Sequence, residues 1–144
     1  MRNDTMAKAY LHQAESRLRA AEHALTEGNF PFAVRLSQEC VELSLKAALR
    51  LYGVEYPKEH DVGGLLTEVK DRFPAWFSGL AEEFREISAR LAAQRGPSMY
   101  GDEEEGLAPS QLFDEKSAKE AIEAAQKVHS GCKRLLDEFL RQKH

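Results

Sequence analysis

Apolar residues recur at spacings of three and four along most of the chain, the pattern of helices that turn one face to a core. In the first segment Ala7, Leu11, Ala14, Leu18, Ala21 and Leu25 form one stripe, and Glu15, Arg17, Arg19 and Glu22 fall off it. Gly28 closes this run, and Asn29 with Pro31 opens the next. The second helix is predicted over about residues 30–52. Its stripe of Ala33, Leu36, Cys40, Leu43, Ala47 and Leu51 is widened by Val34, Val41, Leu45, Ala48 and Leu49. So broad an apolar face meets neighbours on more than one side, which makes this the most buried helix or one that also serves an interface.

A shorter helix is predicted over about residues 61–73 on Leu65, Leu66, Val69 and Phe73. Its Gly63-Gly64 pair costs ~1 kcal/mol per glycine relative to alanine. Pro74 stops it and opens a helix over 74–94, striped by Phe77, Leu80, Phe84, Ile87 and Leu91. Residues 95–113 hold Gly96, Pro97, Gly101, Gly106, Pro109 and the acidic run Asp102–Glu105, and are expected to form a long loop. The last helix, over 114–141, carries Ala118, Ala121, Ala125, Val128, Cys132, Leu135 and Phe139. Arg134, Arg141, Lys143 and His144 gather at its C-terminal end, where cations suit the helix dipole. No segment alternates as a strand does. The expected fold is all-α, an up-and-down four-helix bundle with an additional short helix, in one domain over residues 1–144. Alanines on the first and last helices would let those two approach closely.

Composition narrows the role. A net charge of −4 over 144 residues argues against a dedicated double-stranded DNA binder, which needs a basic excess to neutralise phosphates. No apolar run approaches the ~20 residues that span a bilayer. The N-terminal stretch lacks the apolar core of a signal peptide, so a soluble, cytoplasmic protein without a membrane partner is expected. Two cysteines on apolar stripes, Cys40 and Cys132, read as small core residues. There is no glycine-rich phosphate loop, nucleophile elbow or paired-histidine metal motif. No cofactor, metal ligand or catalytic residue is therefore assigned.

The second helix and the loop after it read CVELSLKAALRLYGVEYPKEHDVGGLL. Glu42, Lys46, Leu49, Gly53, His60, Leu65 and Leu66 stand there in the order and spacing of the HEPN signature, which the segment resembles. Upstream, the alanine-striped helix followed by Gly28-Asn29-Phe30 and Ala33 is similar to the same family. Downstream, Arg95 through Tyr100-Gly101-Asp102 resembles the Arg…Tyr-Gly-Asp stretch of stand-alone prokaryotic members. The resemblance implies a helical bundle that forms a homodimer, with roles in toxin–antitoxin and defence systems beside a small nucleotidyltransferase. It also implies that nucleotide or RNA is a ligand. Some members are metal-independent ribonucleases with an Arg, four to six residues and a His in their later helices. Here no Arg precedes His129 at that distance, and the one formal match, Arg17 to His23, lies in the first helix.

The residues that fit nucleotide recognition are Lys46, His60, Arg90, Arg95 and Tyr100. Arginines and lysine supply charge-assisted hydrogen bonds to phosphate, and an aromatic ring supplies stacking for a base. Each has a structural alternative. Glu42 and Lys46 stand four apart in the order that favours a helix ion pair. His60 at a helix start could stitch its loop to a neighbour. Tyr100 could cover the core, and Arg90 and Arg95 could be a solvated helix surface. The leading reading is a HEPN-type binding module. The alternatives are a metal-independent ribonuclease toxin and a purely structural dimerisation domain.

Overall fold

The second helix organises the molecule. In the computed structural model, which describes residues 3–142, α2 (Phe30–Leu51) packs against α1 (Asn3–Thr26), α5 (Ala81–Tyr100) and α7 (Glu115–Gln142). Its Val34, Cys40, Val41, Leu45, Ala48 and Leu49 are all buried, as the broad apolar face requires. The four long helices form the bundle. Three short helices, α3 (Gly63–Glu68), α4 (Ala75–Ser78) and α6 (Pro109–Leu112), and a 3-10 turn at Lys70–Arg72 decorate its connections. Ala21 and Ala24 of α1, Ala33 of α2 and Ala118 of α7 share one cluster, so small side chains do bring the first and last helices together around α2. Lys143 and His144, expected at the end of the last helix, lie outside the described residues.

An aromatic chain closes the end of the bundle beyond the C-terminus of α2. Tyr52 stacks against Phe73 at 4.7 Å, Phe73 against Phe77 at 4.9 Å, and Phe77 edge-on to Phe84 at 5.8 Å. Trp76 is held over α7, with Arg134 3.8 Å above its ring and its indole Nε1 donating to Glu138 at 2.8 Å. These contacts dock the short elements that a helical repeat alone would not place. Asp114 starts α7 by accepting from the backbone N–H of Ser117 at 2.9 Å.

Three boundaries differ from the sequence expectation. The helix expected over 74–94 is two helices, interrupted at Gly79-Leu80, whose turn-like bonds (Leu80 N–H to the Phe77 carbonyl) precede α5. The short helix begins at Gly63, after Asp61 has turned the chain by accepting from the Gly63 N–H at 3.0 Å and the Ser88 hydroxyl at 2.7 Å. The long loop expected over 95–113 is largely ordered secondary structure. Helix α5 runs through Gly96 and Pro97 to Tyr100. Pro97 sits in its last turn and forfeits one helical bond, while the Ser98 hydroxyl donates to the Arg95 carbonyl at 2.7 Å. Gly101 then ends the helix at φ +71°, with the Leu107 carbonyl only 2.0 Å from where a Cβ would stand. Residues 102–107 form a tight turn closed by two 2.9 Å bonds between Asp102 and Leu107, which leaves Glu103, Glu104 and Glu105 in solvent.

The glycine pair expected to weaken α3 has two different members. A Cβ on Gly63 would come 2.7 Å from the Arg85 Cα, so α3 crosses α5 at a distance that only glycine permits. A Cβ on Gly64 meets nothing within 4 Å. Gly63→Ala is therefore expected to lower stability by about 1–3 kcal/mol. Gly64→Ala is expected to raise it by up to about 1 kcal/mol. Urea unfolding of the two variants should move the midpoint in opposite directions.

Candidate functional site

A polar stripe interrupts the apolar surface of α2. Arg35, Glu39, Glu42 and Lys46 follow one another at four-, three- and four-residue spacing and so share one face, and Gln38 lies beside them, three residues from Arg35 and four from Glu42. Neighbouring elements bring partners to it. Glu42 accepts from Lys46 Nζ at 2.9 Å, His60 Nδ1 at 2.8 Å and Gln38 Nε2 at 3.0 Å. A carboxylate only accepts, so His60 carries its hydrogen on Nδ1 and turns Nε2 away. Lys46 also lies 5.4 Å above the Tyr56 ring. Burial by itself would raise the Glu42 pKa; the bonds from Lys46, Gln38 and His60 outweigh it and hold the carboxyl below its ordinary value.

One turn back, Gln38 is 2% exposed and bridges two charges. Its amide nitrogen faces Glu42, and its carbonyl accepts from Arg95 Nη1 at 2.7 Å. Beyond it three guanidiniums from three helices surround Glu39. Arg17 Nε lies at 3.3 Å, Arg35 Nε at 3.2 Å and Arg95 Nη1 at 3.5 Å. Arg17, Arg35, Leu36, Glu39 and Phe32 line a hollow of about 320 Å³ there. Phe32 and Arg35 also border a second, shallow groove of about 790 Å³, walled by Pro31, Met99, Tyr100 and Pro109. Phe32, Tyr100 and Leu107 are the large apolar side chains left exposed among the described residues, at 44%, 64% and 36%. Two of the three border this groove, and aromatic rings in water beside guanidiniums form a surface suited to a planar, anionic ligand.

The structure thus joins four of the five residues read from the sequence into one strip. Lys46 and His60 meet at Glu42, Arg95 reaches them through Gln38, and Tyr100 stands a turn and a half further along α5 at the groove. Arg90 is not part of it. It borders a separate cleft between α5 and α7 with Glu83, Glu86, Glu120 and Glu123, surroundings that disfavour an anion. Arg17 and His23 do not converge either, since Arg17 serves Glu39 while His23 pairs with Glu27 at 3.3 Å in solvent. Phe32, Arg35, Gln38 and Glu39 went unread. Their signal was the row of polar residues on a helix otherwise apolar all round. Cys40 and Cys132 are buried free thiols, and burial pushes Cys40 up to about 12, so neither is a nucleophile at neutral pH.

Because the folded-state pKa of Glu42 is depressed, its contribution is complete above the ordinary carboxylate pKa and is lost as pH falls through the lowered value. Glu42→Gln leaves Lys46 half-enclosed without its counter-charge and is expected to cost about 1–3 kcal/mol at pH 7. The gap between wild type and variant should close as the solution is taken well below pH 4, which denaturant unfolding across pH reads directly.

Known proteins share this architecture. A Methanocaldococcus jannaschii protein named "Putative toxin MJ1304" is 26% identical over 148 residues, spanning 99% of this chain and 93% of its own length. The crystal structure of ST0689, described as an archaeal HEPN homologue, superposes with a TM-score of 0.68 at 27% identity, covering 90% of this chain and 97% of that one. TT1696 from Thermus thermophilus superposes with a TM-score of 0.71 at 24% identity over 89% and 96% of the two chains, a likeness of fold. The model of the HEPN domain matches residues 7–135, nearly the whole bundle with its polar stripe, and the chain belongs to that family.

Proposed function

We propose that this chain is a HEPN-type binding module of a toxin–antitoxin-like or defence pair, which takes a nucleotide or single-stranded RNA on the strip between Arg17 and Tyr100. In this reading it acts as a homodimer beside a small nucleotidyltransferase. The observation that carries the ligand is the convergence of Arg17, Arg35 and Arg95 next to a groove with two exposed aromatic rings. Guanidiniums grip phosphate oxygens in forks, and a solvent-exposed ring stacks on any base. The overall charge of −4 leaves this the place where arginine is concentrated on one carboxylate, so attraction for an anion is local. The relative bearing the name of a toxin supports the setting.

Calorimetric titration with ATP, and then with a short single-stranded RNA, in the presence of chelator tests this. Saturable binding is expected at a fixed ratio to a dimer, the dimer being measured by light scattering on the same sample. Arg35→Ala or Arg95→Ala should weaken binding by about ten- to a hundredfold and Tyr100→Ala by about five- to tenfold, while Arg90→Ala should leave it unchanged. Heat equal to that of dilution at millimolar ligand would remove the nucleotide from the account.

A second reading has its own observation. Glu42 fixes the His60 tautomer and leaves Nε2 open, the arrangement by which a carboxylate prepares a histidine for proton transfer. A metal-independent ribonuclease built on it would cleave RNA in chelator, lose that cleavage in His60→Ala and keep it in His23→Ala. Intact RNA after prolonged incubation at micromolar protein excludes this reading.

A further inference from the structure

Glu39 occupies the position at which a bound anion would be expected. Three guanidiniums approach its two oxygens, and their side chains are 35%, 30% and 23% exposed, so the cluster is reachable from water. Three positive charges face one negative. The next acid along α2, Glu42, is already taken by Lys46 and His60. Like charges held together cost free energy unless something offsets them. The guanidiniums are also underused. Each has five N–H donors, of which Arg17 gives bonds to Glu39 and Gln13, Arg35 to Glu39, and Arg95 to Gln38 while its charge faces Glu39 at 3.5 Å. Arg17 and Arg35 border the hollow beside Glu39, and Phe32 and Arg35 line both that hollow and the aromatic groove, so the two are neighbours on one surface.

We propose that Glu39 is a tethered counter-anion that an incoming phosphomonoester displaces, which makes this site selective for a terminal, doubly charged phosphate over a phosphodiester. The aromatic half of the site rests on the nucleotide reading above; the displacement does not. A diester brings one negative charge, no more than the carboxylate it would replace. A monoester brings nearly two near neutral pH and three acceptor oxygens, one for each arginine. Only the monoester gains Coulomb energy by the exchange, and the released carboxylate swings into the solvent it already faces. Glu39 thereby sets a threshold: weakly charged anions do not unseat it.

Pyrophosphate, a nucleoside 5′-monophosphate, its nucleoside, and one short RNA with and without a 5′-phosphate are titrated into wild type and Glu39→Gln. Wild type is expected to prefer the 5′-phosphorylated RNA by about tenfold, and Glu39→Gln to bind pyrophosphate and the monophosphate about tenfold more tightly with the nucleoside unchanged. Phosphate affinity that is unchanged or weaker in Glu39→Gln makes Glu39 a support for the arginines and overturns the proposal. If pyrophosphate tightens while the nucleoside part adds no affinity, the displacement stands and the nucleotide reading falls. If nucleotide binds but Glu39→Gln changes nothing, the reverse holds. Should the variant unfold, the comparison of the two RNAs on wild type decides, and equal affinities overturn the proposal.

Discussion

A primary amide buried among helices has to satisfy both of its ends, and the free energy of leaving either unpaired is of the order of 1–3 kcal/mol. Gln38 meets this with a carboxylate at its nitrogen and a guanidinium at its oxygen. No other orientation works, because Glu42 can only accept and Arg95 can only donate. One side chain therefore fixes how far α5 stands from α2 and at what register, and it transmits that position to the His60 loop through Glu42. Apolar contact is non-directional, whereas a hydrogen-bonded amide fixes both distance and orientation, so the network adds register to the packing of α2 against α5.

The two ends of α2 divide the work that follows. Beyond its C-terminus, Tyr52, Phe73, Phe77 and Trp76 bind the short connecting elements into the core. Around its N-terminal half, arginines from α1 and α5 meet a carboxylate, and Phe32 and Tyr100 remain in water. Aromatic packing closes the first end, and at the second a small-residue cluster lies beneath arginines with donors to spare.

The long helices and their core were legible because a 3.6-residue repeat is a local signal. The breaks were less so. Pro97 and Gly96 read as a loop, yet proline in a last turn sacrifices only one bond, and nothing local reveals that Gly101 rather than Pro97 ends the helix. Gly63 looked like a weakness in a helix and is a contact point between two, which depends on Arg85, twenty-two residues away. The site was half legible. Lys46, His60, Arg95 and Tyr100 were found through their resemblance to a family pattern. Arg90 shares with Arg95 and Tyr100 a place flanking the expected loop, but five residues along a helix rotate it away from Arg95 to the acid-lined face. In the sequence Arg17 stands out only through its spacing to His23; its partner is Glu39, on another helix, and no spacing within one helix could show that.

What the chain keeps and what it lacks of the HEPN pattern point the same way. Of the kept residues, Glu42 spends its carboxylate on Lys46, His60 and Gln38, as a group that holds a loop against a helix does. The arginines of the strip have donors to spare, and Arg35 lines both the hollow and the open groove. The proposed ligand site rests on that spare capacity of Arg17, Arg35 and Arg95. Glu42, Lys46 and His60 tie the loop to α2, and the proposed ligand site draws on Arg17 and Arg35 as well as Arg95, so a family label constrains this fold more tightly than its chemistry.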